Sequence, residues 1–187
     1  RAVELTVASL RERLAGLKAG QMSHLQAGRK LYRAIGIDPT RHRPSPEALT
    51  RRVVRGDPFP RLHPAVDLAN LWAVESGLPV GLYDLDRVSG TAITCRLGRE
   101  SESFEGIRKG EVHLDGRLAL ADERGPFGNP SSDSARTAVD ERTRRCLFVM
   151  FAPKDFAAEE LAGWLTWLDA RVPRWLEAST VTHAQFS

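Results

Sequence analysis

The chain has 187 residues, of which 42% are hydrophobic, 27% charged and 7% aromatic, and its formal net charge is +3. This length fits one domain with extensions, and the composition excludes a disordered chain and a disulfide mini-protein. No apolar run approaches the roughly 20 residues of a membrane helix, nothing reads as a signal peptide, and Cys95 and Cys146 have no metal-ligand spacing, so the expectation is a cytoplasmic domain with no metal, cofactor or membrane partner.

Apolar residues recur at helical spacing from Val3 to Ile35, and Gly16, Gly20 and Gly28 predict that this stretch is two or more helices. Gly36 and Asp38-Pro39 stop it. Ser45 reads as the cap and Pro46 as the first turn of a helix running to Arg55. A third helix is predicted over Ala65–Glu75, with Val66, Ala69, Leu71, Trp72 and Val74 inward. From Val80 the pattern changes to short apolar segments between glycine turns, which predicts strands at Val80–Asp84, Thr91–Leu97, Arg117–Asp122 and Cys146–Phe151. The last is continuously apolar, as in a central strand buried on both faces. Arg124–Val139, rich in Gly, Pro, Asn, Ser and Asp, reads as an ordered loop or a long disordered one. An amphipathic helix is predicted over Asp155–Glu177, kinked or ended by Pro173. Helices, then strands, then a closing helix give an α+β class in a single unit, with a mixed sheet and flanking helices.

Charge is uneven. Between Arg29 and Arg61 nine basic residues face three acidic ones, a local excess of +6. Arginine outnumbers lysine 23 to 4, and guanidinium forks suit bidentate phosphate contacts, although a chain rich in arginine also simply places it on solvated faces. No strong catalytic motif is present. Three constellations remain. Asp67 and Asn70, after His63, lie three apart near a helix start, where Asp67 serves the helix N-terminus or Asn70 positions a substrate group. Asp84 and Asp86 flank a turn, for turn geometry or for acid–base work. Asn129, Ser131, Ser132, Asp133, Ser134 and Arg136 form a polar loop able to offer hydroxyl and N–H groups to an ester carbonyl or a ribose, or to serve as a solvated linker or the cap of a short helix. Cys95 and Cys146 read as small core residues in strands, and the tryptophans as core.

Taken together, RHRPSPEALTRRV, PRLHPAVDLANLWAVESGLPVGLYDLDRVSG, GRLALADERGP and SDSARTAVDERTRRCLFVMFAP resemble the B3/B4 domain of the phenylalanyl-tRNA synthetase beta subunit, in its free-standing form. The resemblance covers Arg41 to Pro153, about 60% of the chain, and divides it into an N-terminal helical extension (1–40), a core (41–153) and a C-terminal helix (154–187). It implies a compact α/β unit that hydrolyses a mischarged aminoacyl-tRNA between two lobes, hence a metal-independent trans-editing deacylase. The implied pocket is Asn70, Gly81, Asp84, Asn129, Ser131–Ser134 and Arg136, supported by His63 and Asp67. Arg41, Arg43, Arg51, Arg52 and Arg55 would hold the phosphates of the aminoacylated tRNA. Two departures bear on specificity. The family's pocket histidine falls on Gly81, and the glutamate that reads a tyrosine hydroxyl falls on Val149. Losing both polar groups implies a different amino acid. The alternatives are a non-catalytic tRNA- or RNA-binding module that has lost the editing residues, and a small-molecule esterase or amino-acid-binding protein.

Overall fold

Helical spacing in the N-terminal stretch sets up the first core. In the computed structural model, which describes residues 2–18, 21–108, 110–177 and 181–184, helix α1 (Ala2–Leu14) buries Val3, Val7, Leu10 and Leu14 along one stripe. They pack with Leu25, Val53, Leu71 and Val74 of helices α2 (Leu25–Ala34), α3 (Ser45–Arg55) and α4 (Pro64–Ser76). Gly20, expected to divide this stretch, lies outside the described residues. Helix α3 ends at Gly56 in the left-handed region (φ 80°), where only glycine sits without a Cβ penalty. Ser45 does not cap α3. The N-cap is Pro44, Ser45 is already helical, and no side chain caps the helix.

Helix α4 is the centre of the molecule. Ala65, Leu68, Ala69, Leu71, Trp72, Ala73 and Val74 are all buried, so it is covered on nearly every side, as a helix apolar all round must be. Its start is fixed by His63, whose Nδ1 accepts the Ala65 N–H at 3.3 Å. Its close contact with α2 depends on Gly28, where a Cβ would stand 2.5 Å from the Gly77 carbonyl oxygen.

Strand β1 (Val80–Asp84) pairs antiparallel with β8 (Cys146–Met150), Gly81 opposite Val149. Strands β2 (Thr94–Leu97), β5 (Leu118–Asp122), β6 (Gly125–Asn129) and β7 (Ser132–Asp133) form a second sheet in that order. Strands β3 (Ser103–Gly106) and β4 (Gly110–His113) form a hairpin. The α+β class is therefore as expected, with three sheets among the described residues, each built from antiparallel ladders. Three expectations are corrected. Strand β8 is half-buried along its length and is paired with β1 alone among the described strands. Phe148 and Met150 pack toward Trp72 and Leu168 on one face and Leu147 and Val149 toward Tyr83 and Phe127 on the other, so it is packed on both faces without being a central strand. The Arg124–Val139 segment, expected to be loop throughout, contains β6, β7 and a 3-10 turn at Ala135–Thr137. Cys95 is exposed on the edge strand β2 and Cys146 is half-buried, so neither is a core residue.

At the C-terminus the expected long helix is two, α5 (Ala158–Asp169) and α6 (Val172–Leu176), with Pro173 in the first turn of α6. Leu168 and Val172 seal the back of α4 against Trp72.

Tyr83 joins the β1–β8 pair to the four-stranded sheet. Its ring packs edge-on against Phe127 with centroids 4.9 Å apart, and its hydroxyl lies between two glycines. A Cβ at Gly81 would stand 2.3 Å, and one at Gly128 2.2 Å, from that oxygen. Gly81→Ala is expected to cost about 2–3 kcal/mol through overpacking, measured by urea denaturation. In a Tyr83→Leu background the added cost should largely vanish, and an undiminished cost there would contradict this packing account.

Candidate functional site

Helix α4 and strand β1 stand opposite β7 and the β3–β4 turn, and a cleft of about 860 Å³ opens between them. That volume lies within the range of small-ligand sites, roughly 300–1,000 Å³. Helical spacing puts His63, Val66 and Asn70 on successive turns of the α4 face that lines it, while Val80 and Leu82 alternate inward from β1. Ser131, Ser132 and Asp133 close the opposite side, with Ile107 and Arg108 from the β3–β4 turn and residues Ala138 to Arg142 from the loop before β8. One wall is apolar, formed by Val66, Val80, Leu82 and Val139; the other carries hydroxyl, carboxylate and guanidinium groups.

Asp133 is the chemically unusual group. It lines the cleft, yet its Oδ1 is buried without a well-formed hydrogen bond. Burial pushes its carboxyl up to about 7, and the Tyr83 hydroxyl opposes that shift only in part. Tyr83 Oη is likewise buried without a well-formed bond. Burial first, and then the Asp133 charge, hold its phenol far above the usual range. A carboxyl poised between protonated and ionised near neutral pH is suited to pair with a cation or to exchange a proton.

Other polar groups at the cleft are set by their surroundings. The Ala65 N–H bond to His63 Nδ1 assigns the proton of the neutral ring to Nε2,. Asn70 and Ser132 make no side-chain hydrogen bond among the described residues, and both line the cleft. Ser131 is engaged by the Tyr32 hydroxyl at 2.9 Å.

Several sequence candidates lie behind the cleft. Asn129 Oδ1 accepts the N–H groups of Ser131 and Ser132, each at 2.8 Å, and so shapes the loop that lines it. Asp84 accepts the Thr143 hydroxyl at 2.7 Å and the Asp86 N–H at 3.0 Å. It thereby anchors the loop before β8. Ser134 caps the 3-10 turn through the Arg136 N–H at 3.1 Å. Arg136 grips Asp122 with two bonds of 2.8 and 3.0 Å and lies over Phe127. Gly81 contributes the room its missing side chain leaves for Tyr83. Asp67 does not share the cleft with Asn70: it accepts from Arg61 at 2.7 Å and from the Leu62 N–H at 3.0 Å, fixing the approach to α4.

The basic stretch is largely paired. Glu47, 1% exposed, takes two bonds from Arg29 at 2.7 and 3.0 Å, two longer ones from Arg51 at 3.2 and 3.3 Å, and has Arg43 at 3.6 Å. It is covered by guanidinium groups more than by apolar core. The Arg29 hydrogen bond, above all, holds its carboxyl below the usual range. Arg55 pairs with Asp57 at 2.7 Å, Arg41 approaches Asp38 at 3.8 Å, and Arg52 donates to the Pro58 carbonyl at 3.0 Å. Among the described residues no group of three His, Cys, Asp or Glu side chains is placed to hold a metal ion, and no helix is long and apolar enough to cross a membrane.

Comparison with known proteins settles the family. A model of the B3/4 domain matches residues 27–160. The chain belongs to the B3/4 domain family. Similar proteins include the phenylalanine–tRNA ligase beta subunits of Cutibacterium acnes, 36% identical over 86 residues (46% of this chain and 10% of the relative), and of Legionella pneumophila, 32% over 102 residues (54% and 13%). That of Neisseria meningitidis is 31% identical over 100 residues, 52% of this chain and 12% of the relative. The chain thus spans about an eighth or less of the length of these relatives.

Within this B3/4 domain the two departures have a structural consequence. Val149, paired with Gly81, packs into the interior beside Tyr83 and Phe127 and does not line the cleft. The residues that sequence reasoning passed over are Tyr83, Arg108 and Arg142. Arg108 had one signal, a basic turn between Gly106 and Gly110. Tyr83 had none, since an aromatic residue in an apolar strand reads as ordinary core.

Proposed function

We propose that this B3/4 domain hydrolyses the ester of a mischarged aminoacyl-tRNA, acting in trans. The observation that carries the reading is the cleft, in which Asp133, ionisable near neutral pH, shares a wall with Ser132 and faces Asn70 and His63 on α4. The similarity to tRNA ligase beta subunits supports tRNA as the partner. In this reading Asp133 receives the ammonium of the aminoacyl group. His63 Nε2–H, the Asn70 amide and the Ser132 hydroxyl orient water and polarise the ester carbonyl. An aminoacyl ester is already activated, so positioning supplies the needed acceleration without a protein nucleophile. The apolar wall of Val66, Val80, Leu82 and Val139 suits an apolar amino-acid side chain better than tyrosine.

The test is release of labelled amino acid from a panel of correctly and incorrectly charged tRNAs, with Asn70→Ala and heat-killed protein as controls. Faster release from one mischarged species, abolished by Asn70→Ala, is expected. Absence of acceleration across the panel with RNA binding retained would leave a binding module instead.

A further inference from the structure

The arginines most concentrated in sequence are not the ones most free to meet an anion. Arg29, Arg43 and Arg51 converge on Glu47, Arg55 on Asp57 and Arg61 on Asp67. A phosphate reaching them competes with carboxylates already in place, which lowers the gain from each contact. At the mouth of the cleft the balance differs. Arg108, in the turn after β3, makes no hydrogen bond and no ion pair among the described residues. Arg142, on the loop before β8, uses its backbone N–H toward Asp140 at 2.8 Å, and its guanidinium forms no ion pair among the described residues. Asp140 is itself occupied by Arg87. Both free guanidiniums are exposed, and both line the cleft. Glu141 lies on the same rim as the one carboxylate there without an ion pair among the described residues.

We propose that Arg108 and Arg142 form a clamp for the phosphodiester groups of a single-stranded RNA 3′ end whose last residue enters the cleft, and that the Arg41–Arg55 surface is secondary. This inference rests on the reading of the cleft as a tRNA-end site, and it assigns the RNA contact to different residues. Guanidinium forks suit such a task because each offers two parallel donors to a phosphate. Placement at the rim also fits the chemistry. The apolar wall and Asp133 would receive the terminal group, while the charged backbone stays in the solvated mouth. Glu141 opposes the clamp, so its removal should tighten binding.

The experiment uses the whole chain and a fluorescein-labelled acceptor-stem minihelix, uncharged, with and without a single-stranded CCA end. The double variant Arg108→Glu/Arg142→Glu should bind the overhanging minihelix at least about tenfold more weakly, with a salt dependence shallower by roughly 1.5 in log–log slope. Glu141→Gln should bind about twofold more tightly, and Arg41→Glu/Arg43→Glu should change affinity by less than about threefold. All five substituted residues are exposed, and unchanged thermal melting checks that folding is intact. Wild-type affinity in the rim variant, equal losses with and without the overhang, or a larger loss in the Arg41/Arg43 variant would overturn the clamp. Because the probe carries no ester, failure here is separate from failure of hydrolysis. Clamp binding without turnover on any charged tRNA would refute the deacylase and leave the clamp standing.

Discussion

Replacing Asp133 by Asn is expected to widen the stability gap between variant and wild type by on the order of 4 kcal/mol as pH rises from about 4 to about 8. The sign follows from the direction of the shift. The carboxyl is raised from 3.8 to about 7 by burial, so below the lower value both folded and unfolded chains hold the proton and the residue is neutral in the balance. Between the two values the unfolded chain releases the proton and the folded chain keeps it, so stability falls with rising pH. Above about 7 the full cost of burying the ionised group is present. Asn cannot ionise and escapes this cost. Urea denaturation at several pH values reads the difference, and parallel curves for the two proteins would refute the assignment. The Tyr83 hydroxyl from β1 is the group that opposes the shift, and His63, Arg108, Asp140, Glu141 and Arg142 are the other titratable or charged residues lining the same cleft. An amine-bearing ligand that pairs with ionised Asp133 should bind more tightly as pH passes through about 7. It should also restore part of the lost stability by mass action. A site kept costly to the fold at working pH is what a binding carboxylate in a partly closed cleft entails.

Glu47→Ala is expected to cost about 3 kcal/mol, because it leaves Arg29, Arg43 and Arg51 facing one another with nothing between them. Of these, Arg29 loses most, since both its bonds of 2.7 and 3.0 Å go to this carboxylate. The lowered carboxyl adds a pH signature of opposite sign to that of Asp133. Stability contributed by ionised Glu47 is present above its unfolded value of 4.5 and lost as acid protonates it below,. Denaturation of Glu47→Ala should therefore be far easier than that of wild type at pH 7, with the gap narrowing in acid. A cost under about 1 kcal/mol would reduce the cluster to an ordinary surface ion pair. The same variant tests the role of the basic stretch, since it frees three guanidiniums. Unchanged RNA affinity in Glu47→Ala would accord with a phosphate contact located at the cleft rim.

The helices were legible because their cause is local. Val3, Val7, Leu10 and Leu14 keep one face by spacing alone. Pro64 and Gly77 mark the ends of α4 by what they do to the backbone at those positions,. Strands β1, β5 and β8 were legible as apolar runs bounded by turns. Strand β6 was not, because Gly125, Pro126 and Gly128 carry the marks of a loop. It is a strand since its ladder to β5 and the packing of Phe127 against Tyr83 override those preferences,. The hairpin of β3 and β4 was hidden for a similar reason, being short and mostly polar.

The candidate site divides the same way. That Asn70 and the Ser132–Asp133 loop could carry chemistry was readable from residue type, as was the kinship of the domain from the VDLAN and YDLD segments. Which polar groups reach the cleft was not. Asp67, Asp84, Asn129 and Arg136 are chemically as able as Asp133, but each has partners brought from elsewhere in the chain or loop that turn it to support. The Arg29–Glu47 bond spans 18 residues and the Arg136–Asp122 bond 14. By itself the sequence determined the helical elements, the class and the family, because spacing and residue type act over a few positions. Only the tertiary structure decided which charges are spent on one another and which remain open to a ligand, because charge pairing depends on distance in space and the chain alone does not set it.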